Sequence, residues 1–241
     1  MKKESIKRSI IILRNKERGK DLKEILIKQG FNVLVKSIIK IKRKKYTPIN
    51  IKLFDAIIFT SVNSVKFIKE NINNNIFKNI NTFCVGKITE KYAIESGFKC
   101  IKTKAYSGKT LEKEILNQTE IKINNIAIFS GNKMAHNPIP KLKQNGINAT
   151  RIVLYDAIPE KHINKKILDF IFKQNTSHIV FYSPHIADTF NKLTEKYNFS
   201  TINAVCLGKN TKNILEKRKW KKVLIVKNVE SKSFANSILE S

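Results

Sequence analysis

Two stretches of the chain carry a glycine, a lysine and a threonine at the same spacing. Phe83-Cys84-Val85-Gly86-Lys87-Ile88-Thr89 is matched by Ala204-Val205-Cys206-Leu207-Gly208-Lys209-Asn210-Thr211, with one offset of 122 at Cys84/Cys206, Gly86/Gly208 and Thr89/Thr211. In each, an apolar run ends in Gly-Lys-x-Thr and a segment of helical spacing follows. A strand that stops at a glycine and turns into a helix leaves unpaired backbone N–H groups, with a hydroxyl beside them, at the positive end of the helix dipole. That is chemistry for holding an anion. Ser61, Ser130 and Ser183 end three further apolar runs, and Ser183 followed by Pro184 reads as an N-cap with proline in the first helical position. The nucleotide-binding patterns Gly-x-x-x-x-Gly-Lys-Ser/Thr and Gly-x-Gly-x-x-Gly are absent, so the anion expected is not a nucleotide.

Composition narrows the partner further. A formal net charge of +28 would ordinarily raise nucleic acid first. However, only six of the 47 basic residues are arginine, namely Arg8, Arg14, Arg18, Arg43, Arg151 and Arg218. A drift toward Lys, Asn and Ile codons gives that composition without selection for a polyanion, and the densest basic run, Lys40 to Lys45, is short and broken by Ile41. A small, highly carboxylated ligand would gain from the same field, whereas nucleic acid is not the expected partner. Three cysteines without Cys-x-x-Cys spacing give neither a disulfide framework nor a zinc site. The histidines at 136, 162, 178 and 185 show no ligand spacing, so neither metal nor cofactor is expected. No apolar run approaches the roughly 18 residues of a membrane span, and Ile10-Ile11-Ile12-Leu13 is too short for a secretory signal. A cytoplasmic monomer is expected.

The elements that must position these turns repeat. Unit A is the strand at residues 9–13, a helix over 21–29 stopped by Gly30, and a strand at 31–35. Its counterpart runs from Ile126-Ala127-Ile128-Phe129 through a helix ending at Leu142, with Gly146 as the stop, at an offset of 116 (Leu13/Phe129, Gly30/Gly146). Unit B is Ala56 to Ser61 with a helix over 64–72, matched by His178 to Ser183 and a helix over 184–193, at an offset of 122. Unit C is the Gly-Lys-x-Thr turn and its helix, a short strand (99–103; 222–226), and a last helix starting near Gly108 or Ser231. The order A-B-C-A′-B′-C′ is an internal duplication, and alternating strands and helices imply parallel sheets flanked by helices. Ligands of such sheets bind beyond the carboxyl ends of the strands, where all the turns named above should lie. Residues 36–50, which include Tyr46-Thr47-Pro48, and residues 150–162 are expected to be connections between lobes. Residues 71–81 read as a polar surface loop.

In order and spacing, Ile57-Ile58-Phe59-Thr60-Ser61-Val62-Asn63-Ser64-Val65, Cys84-Val85-Gly86-Lys87-Ile88-Thr89, Val153-Leu154-Tyr155, and Phe181-Tyr182-Ser183-Pro184 leading to Leu207-Gly208-Lys209-Asn210-Thr211 resemble the uroporphyrinogen-III synthase family. The turn Phe129-Ser130-Gly131-Asn132 adds to the likeness, which runs from about residue 9 to the end. The resemblance implies an α/β fold of two similar lobes, each a parallel sheet flanked by helices, joined by a two-stranded linker. Residues 1–37 with 160–241 would form one lobe and residues 38–159 the other. The expected reaction closes hydroxymethylbilane, a linear tetrapyrrole with eight carboxylates, with inversion of its last ring and loss of water. The two Gly-Lys-x-Thr turns are then expected on the ligand edge of their own lobes, facing one cleft. Ser61, Asn63, Thr89, Ser130, Asn132, Ser183 and Thr211 are the candidate substrate-binding residues, with the threonines favoured over the lysines of their turns. Tyr155 resembles the family tyrosine placed to give a proton or hydrogen bond to the departing hydroxyl, and a phenol, being a weak acid, would assist without being indispensable. The chain departs from the family pattern at Arg14-Asn15, where Arg-Pro is common, and at Ala135, where many members carry arginine; Lys133 would replace it. The rival expectation is a two-lobed module that binds an anionic small molecule without chemistry.

Overall fold

The computed structural model describes residues 8–45, 49–70 and 79–241. The chain divides into two compact units, Met1–Lys40 with Pro159–Ser241 and Ile41–Ile158.

The first unit is built on five strands: β1 (Ser9–Leu13), β2 (Asn32–Val35), β8 (Thr176–Phe181), β9 (Phe199–Leu207) and β10 (Trp220–Val226). They form one sheet in the order β10-β9-β8-β1-β2. Every neighbouring pair is parallel. Helices cover both faces, so central strands read as unbroken apolar runs. In β1, Ile11 and Leu13 join one apolar cluster with Ala187 and Phe190 of the helix Pro184–Leu193. Ile10 and Ile12 join the opposite cluster with Leu22 and Leu26 of the helix Lys16–Lys28. Side chains alternating across a strand put each helix on its own face.

The second unit repeats the plan with β3 (Ile39–Arg43), β4 (Ala56–Phe59), β5 (Asn81–Cys84), β6 (Asn125–Gly131) and β7 (Asn148–Pro159). Here the sheet order is β3-β7-β6-β4-β5. Ile57, Phe59, Ala127 and Phe129 face one cluster; Ala56, Ile58, Ile126 and Ile128 face the other. With β6 as the counterpart of β1, β7 of β2, β4 of β8 and β5 of β9, the two sheet orders correspond at these four strands. Each unit therefore combines the A element of one half of the duplication with the B and C elements of the other.

The chain passes between the units at Lys40/Ile41 and Ile158/Pro159, within the expected connections 36–50 and 150–162, which carry β3 and most of the twelve-residue strand β7. Other sequence expectations change. The first helix starts at Lys16, because Asn15 accepts the Arg18 N–H and caps it. In place of a strand at 99–103 there is one bridge, Thr82 to Cys100. The Tyr46-Thr47-Pro48 expectation, and residues 71–78 of the expected loop, lie outside the described residues.

At the amino end of β8, His178 is 2% exposed. It contacts Ser177 Oγ and Ser241 Oγ, each at 2.8 Å, and the Asn203 amide at 3.1 Å. Burial, and then the charges of Arg8 and Lys221, push its pKa down to about 4. The imidazole is therefore neutral in the fold, while in the unfolded chain it protonates near the ordinary 6.5. Its contribution to stability is complete above that value and is lost as pH falls toward 4, at up to about 1.4 kcal/mol per pH unit. Urea unfolding measured from pH 7 to pH 4 should show this slope, and His178→Gln should flatten it.

Candidate active site

In a parallel sheet with helices on both faces, two adjacent strands whose connections leave in opposite directions open a crevice at their carboxyl ends. In the second unit those strands are β4 and β6. Their ends are tied by Thr60, whose N–H and Oγ1 both donate to the Phe129 carbonyl at 3.2 Å.

Ser61 follows Thr60 in an extended conformation (φ −165°, ψ 162°) and caps the helix Val62–Lys69, accepting the Ser64 N–H at 3.3 Å. Its hydroxyl also lies 2.8 Å from Tyr155 Oη. Tyr155 reaches it because β7 slips against β6: Ser130 pairs with Val153, but Gly131 pairs with Tyr155. Leu154 and Tyr155 consequently join the same apolar cluster, which successive residues of a regular strand cannot do. The phenol ring lies directly on Gly131, where a Cβ would come within 2.5 Å of Cε2 and 2.7 Å of Cζ. Phe67 closes the other side at 5.7 Å between ring centroids.

The turn after β6 is held as tightly. The Asn132 N–H donates to the Tyr155 carbonyl at 2.8 Å, and Asn132 Oδ1 accepts the N–H groups of Lys133 and Ala157, both at 2.9 Å. Arg151 braces it from β7: Nε donates to Ser130 Oγ at 2.9 Å, and Nη2 to the carbonyls of Gly131 (2.7 Å) and Asn132 (2.9 Å). The residue reading did not single out Arg151. Its signal was its type, since a planar fork of donors does what lysine cannot. Arg151→Lys should lower stability by about 2 kcal/mol, the order expected when charge-assisted bonds are lost, and should slow turnover by loosening Gly131 beneath Tyr155. Denaturation midpoints and kcat check both.

The candidates separate into three placements. Ser61, Tyr155 and Asn132 come together, while Asn63 sits half-buried in the first turn of the helix that Ser61 caps. Ser183 occupies the matching place in the first unit, capping Pro184–Leu193 and accepting the Ile186 N–H at 3.3 Å. Thr89, Ser130 and Thr211 differ from expectation. Ser130 is wholly buried within β6 and caps no helix. Thr89 and Thr211 are 2% and 1% exposed, so their hydroxyls do not face solvent. The glycines set this phase: Gly86 (φ 80°) and Gly208 (φ 74°) start their helices early enough that the threonines fall on the buried face. Lys87, Ile88, Lys209 and Asn210 are the exposed residues of those turns. Lys133 is exposed, and His136 is engaged with Glu112 at 2.8 Å.

Chemically, the Ser61–Tyr155 pair can move a proton. The Ser64 N–H occupies one acceptor position of Ser61 Oγ. When the Ser61 hydroxyl donates to Tyr155 Oη, the phenol proton is free to be given to a group beyond it, and the same hydrogen bond stabilises the phenolate left behind.

The family model for uroporphyrinogen-III synthase HemD matches residues 20–236. The fold is similar to a crystal structure of uroporphyrinogen-III synthetase from Helicobacter pylori 26695, at TM-score 0.66 and 17% identity, covering 97% of this chain and 99% of that one. It is also similar to a mutant uroporphyrinogen III synthase from the extremely thermophilic bacterium Thermus thermophilus, at TM-score 0.56 and 12% identity, covering 97% of this chain and 100% of that one. The sequence matches no curated protein.

Proposed function

The chain belongs to the uroporphyrinogen-III synthase family, and from that premise we propose how its own residues serve the reaction. It is an enzyme of tetrapyrrole biosynthesis, a cyclising lyase acting on a linear tetrapyrrole. Hydroxymethylbilane loses its hydroxyl as water, leaving a cationic azafulvene. The last ring then attacks through a strained spiro intermediate and is inverted before closure. The electrons that expel the hydroxyl come from the pyrrole nitrogen, so the protein contributes position and a proton.

In this reading Tyr155 gives that proton, the Ser61 hydroxyl steadies the phenolate left behind by donating to it, and the proton released when the macrocycle closes restores the phenol. The observation that carries the assignment is the 2.8 Å contact between the two hydroxyls, at the crevice where β4 and β6 end. Asn63, Asn132 and Ser183 offer polar side chains to the substrate's carboxylates, while the Ser61 hydroxyl proton is engaged by Tyr155. Ser130 acts from behind, accepting from Arg151, while Thr89 and Thr211 pack into the buried faces of their helices, beneath turns whose backbone N–H groups do the binding. Backbone donors at helix starts need no particular side chain, which suits a family whose sequences are weakly patterned. Sparse cysteines without Cys-x-x-Cys pairs support a cytoplasmic setting, and both units coming from one chain support action as a monomer. No helix among the described residues is long and apolar enough to cross a membrane.

Purified protein incubated with freshly generated hydroxymethylbilane should yield the type III ring isomer. Formation of the spontaneous type I isomer alone would sink the assignment.

A further inference from the structure

The first unit has its own switch point, between β1 and β8. Leu13 and Phe181 pair across these strands, so the next residues, Arg14 and Tyr182, stand side by side at the carboxyl edge. Both are 8% exposed. The Arg14 guanidinium lies 3.8 Å above the Tyr182 ring, and the other side of that ring packs on Phe234 at 4.5 Å between centroids.

The guanidinium is poorly satisfied for so buried a cation. Nη1 donates to the Arg18 carbonyl at 3.3 Å, the Tyr182 side chain is a further partner, and among the described residues no ion pair engages it. An arginine carries five N–H donors. By contrast, Arg218 donates to the carbonyls of Asn191, Thr194 and Tyr197 and to Thr194 Oγ1. The Tyr182 hydroxyl is buried, and among the described residues its own proton has no acceptor. Burial, and then the neighbouring charge of Arg18, push Arg14 down to about 10, against the opposing influence of Tyr182 and, more weakly, Asp21. Arg14 therefore remains a cation at neutral pH, in a place where an uncompensated cation is costly. The helix Pro184–Leu193, capped by Ser183, begins two residues after Tyr182.

We propose that Arg14, the Tyr182 hydroxyl and the start of the helix Pro184–Leu193 form a carboxylate subsite that holds one acid side chain of the tetrapyrrole. A carboxylate matches the planar fork of the guanidinium, accepts the phenol proton as a hydrogen bond, and is favoured by the helix dipole. The inference rests on the reading of the reaction given above, because it takes the anion to be the substrate's.

The test uses two readouts: KM and kcat for hydroxymethylbilane, and binding of uroporphyrin I, a fluorescent octacarboxylate that does not react. Arg14→Gln should weaken uroporphyrin binding and raise KM by about tenfold or more, with kcat changed by less than about threefold. Arg14→Lys should recover part of the loss. Lys20→Gln, the same charge change on the exposed side of the neighbouring helix, should leave both values within about twofold. Tyr182→Phe removes one oxygen and should cost about threefold in binding, which keeps the test available if Arg14→Gln fails to fold. Binding and KM unchanged in a folded Arg14→Gln, or in Tyr182→Phe should the arginine variant not fold, would overturn the subsite. A wild-type protein that makes the type III isomer yet binds no uroporphyrin would also overturn it, leaving the reaction intact. Arg14-dependent uroporphyrin binding by a protein that yields only the type I isomer would uphold the subsite and remove the reaction.

Discussion

Replacing Tyr155 with phenylalanine is expected to lower kcat by about tenfold, equivalent to ~1.4 kcal/mol of transition-state stabilisation, while KM and the type III product are retained. The ring stays where it is, because phenylalanine keeps the contacts with Gly131 and Phe67. What is lost is the oxygen 2.8 Å from Ser61, and with it the proton for the departing hydroxyl. A full general-acid contribution would be on the order of a hundredfold or more. The smaller figure follows from the substrate's own nitrogen doing most of the expulsion and from a phenol being a weak acid. Product identity should survive, since which ring carbon is attacked depends on how the chain of pyrroles is held and not on who protonates the leaving group. Steady-state kinetics with isomer analysis decide the matter. An unchanged kcat would remove Tyr155 from the chemistry and leave it as packing.

The duplication was the most legible feature, because glycine stops and apolar runs at fixed offsets do not depend on surface composition. It anticipated strands that alternate with helices, and the Ser61 and Ser183 caps at corresponding positions. Other features were hidden for physical reasons. β3 reads Ile-Lys-Ile-Lys-Arg and is mostly exposed, so its alternation looks like one more basic surface segment in a lysine-rich chain. The slip in β7 that turns Tyr155 onto Gly131 is a backbone event with no side-chain signature.

The burial of the two threonines had a signal in the sequence. Thr89 precedes Ala93 by four residues, and Thr211 precedes Leu215 by four; all four residues are buried. That spacing puts each threonine on the same helical face as a core residue. The arginines were the other neglected signal. In a composition that favours lysine, two of the six arginines mark places where several fixed donors are used at once. Arg151 holds the Ser130–Asn132 turn, and Arg218 gathers the carbonyls around Thr194.

Gly131→Ala tests whether that slipped register matters for chemistry. An added Cβ would stand 2.5 Å from Tyr155 Cε2, 2.7 Å from Cζ and 3.1 Å from Oη, so the ring must move. Overpacking of this kind costs about 1–3 kcal/mol, which in a chain of this size lowers Tm by about 5 °C. Moving the phenol by even a fraction of an ångström breaks its contact with Ser61, so kcat should fall by about tenfold or more. The two effects can be separated. In a Tyr155→Phe background the ring still meets the new methyl group, and the fall in Tm should persist. The kcat of the double variant, however, should be close to that of Tyr155→Phe alone, because the hydroxyl whose position mattered is already gone. If Gly131→Ala slows both backgrounds equally, the glycine serves the substrate-facing turn directly and the pairing of Tyr155 with Ser61 is not what the slip in β7 protects.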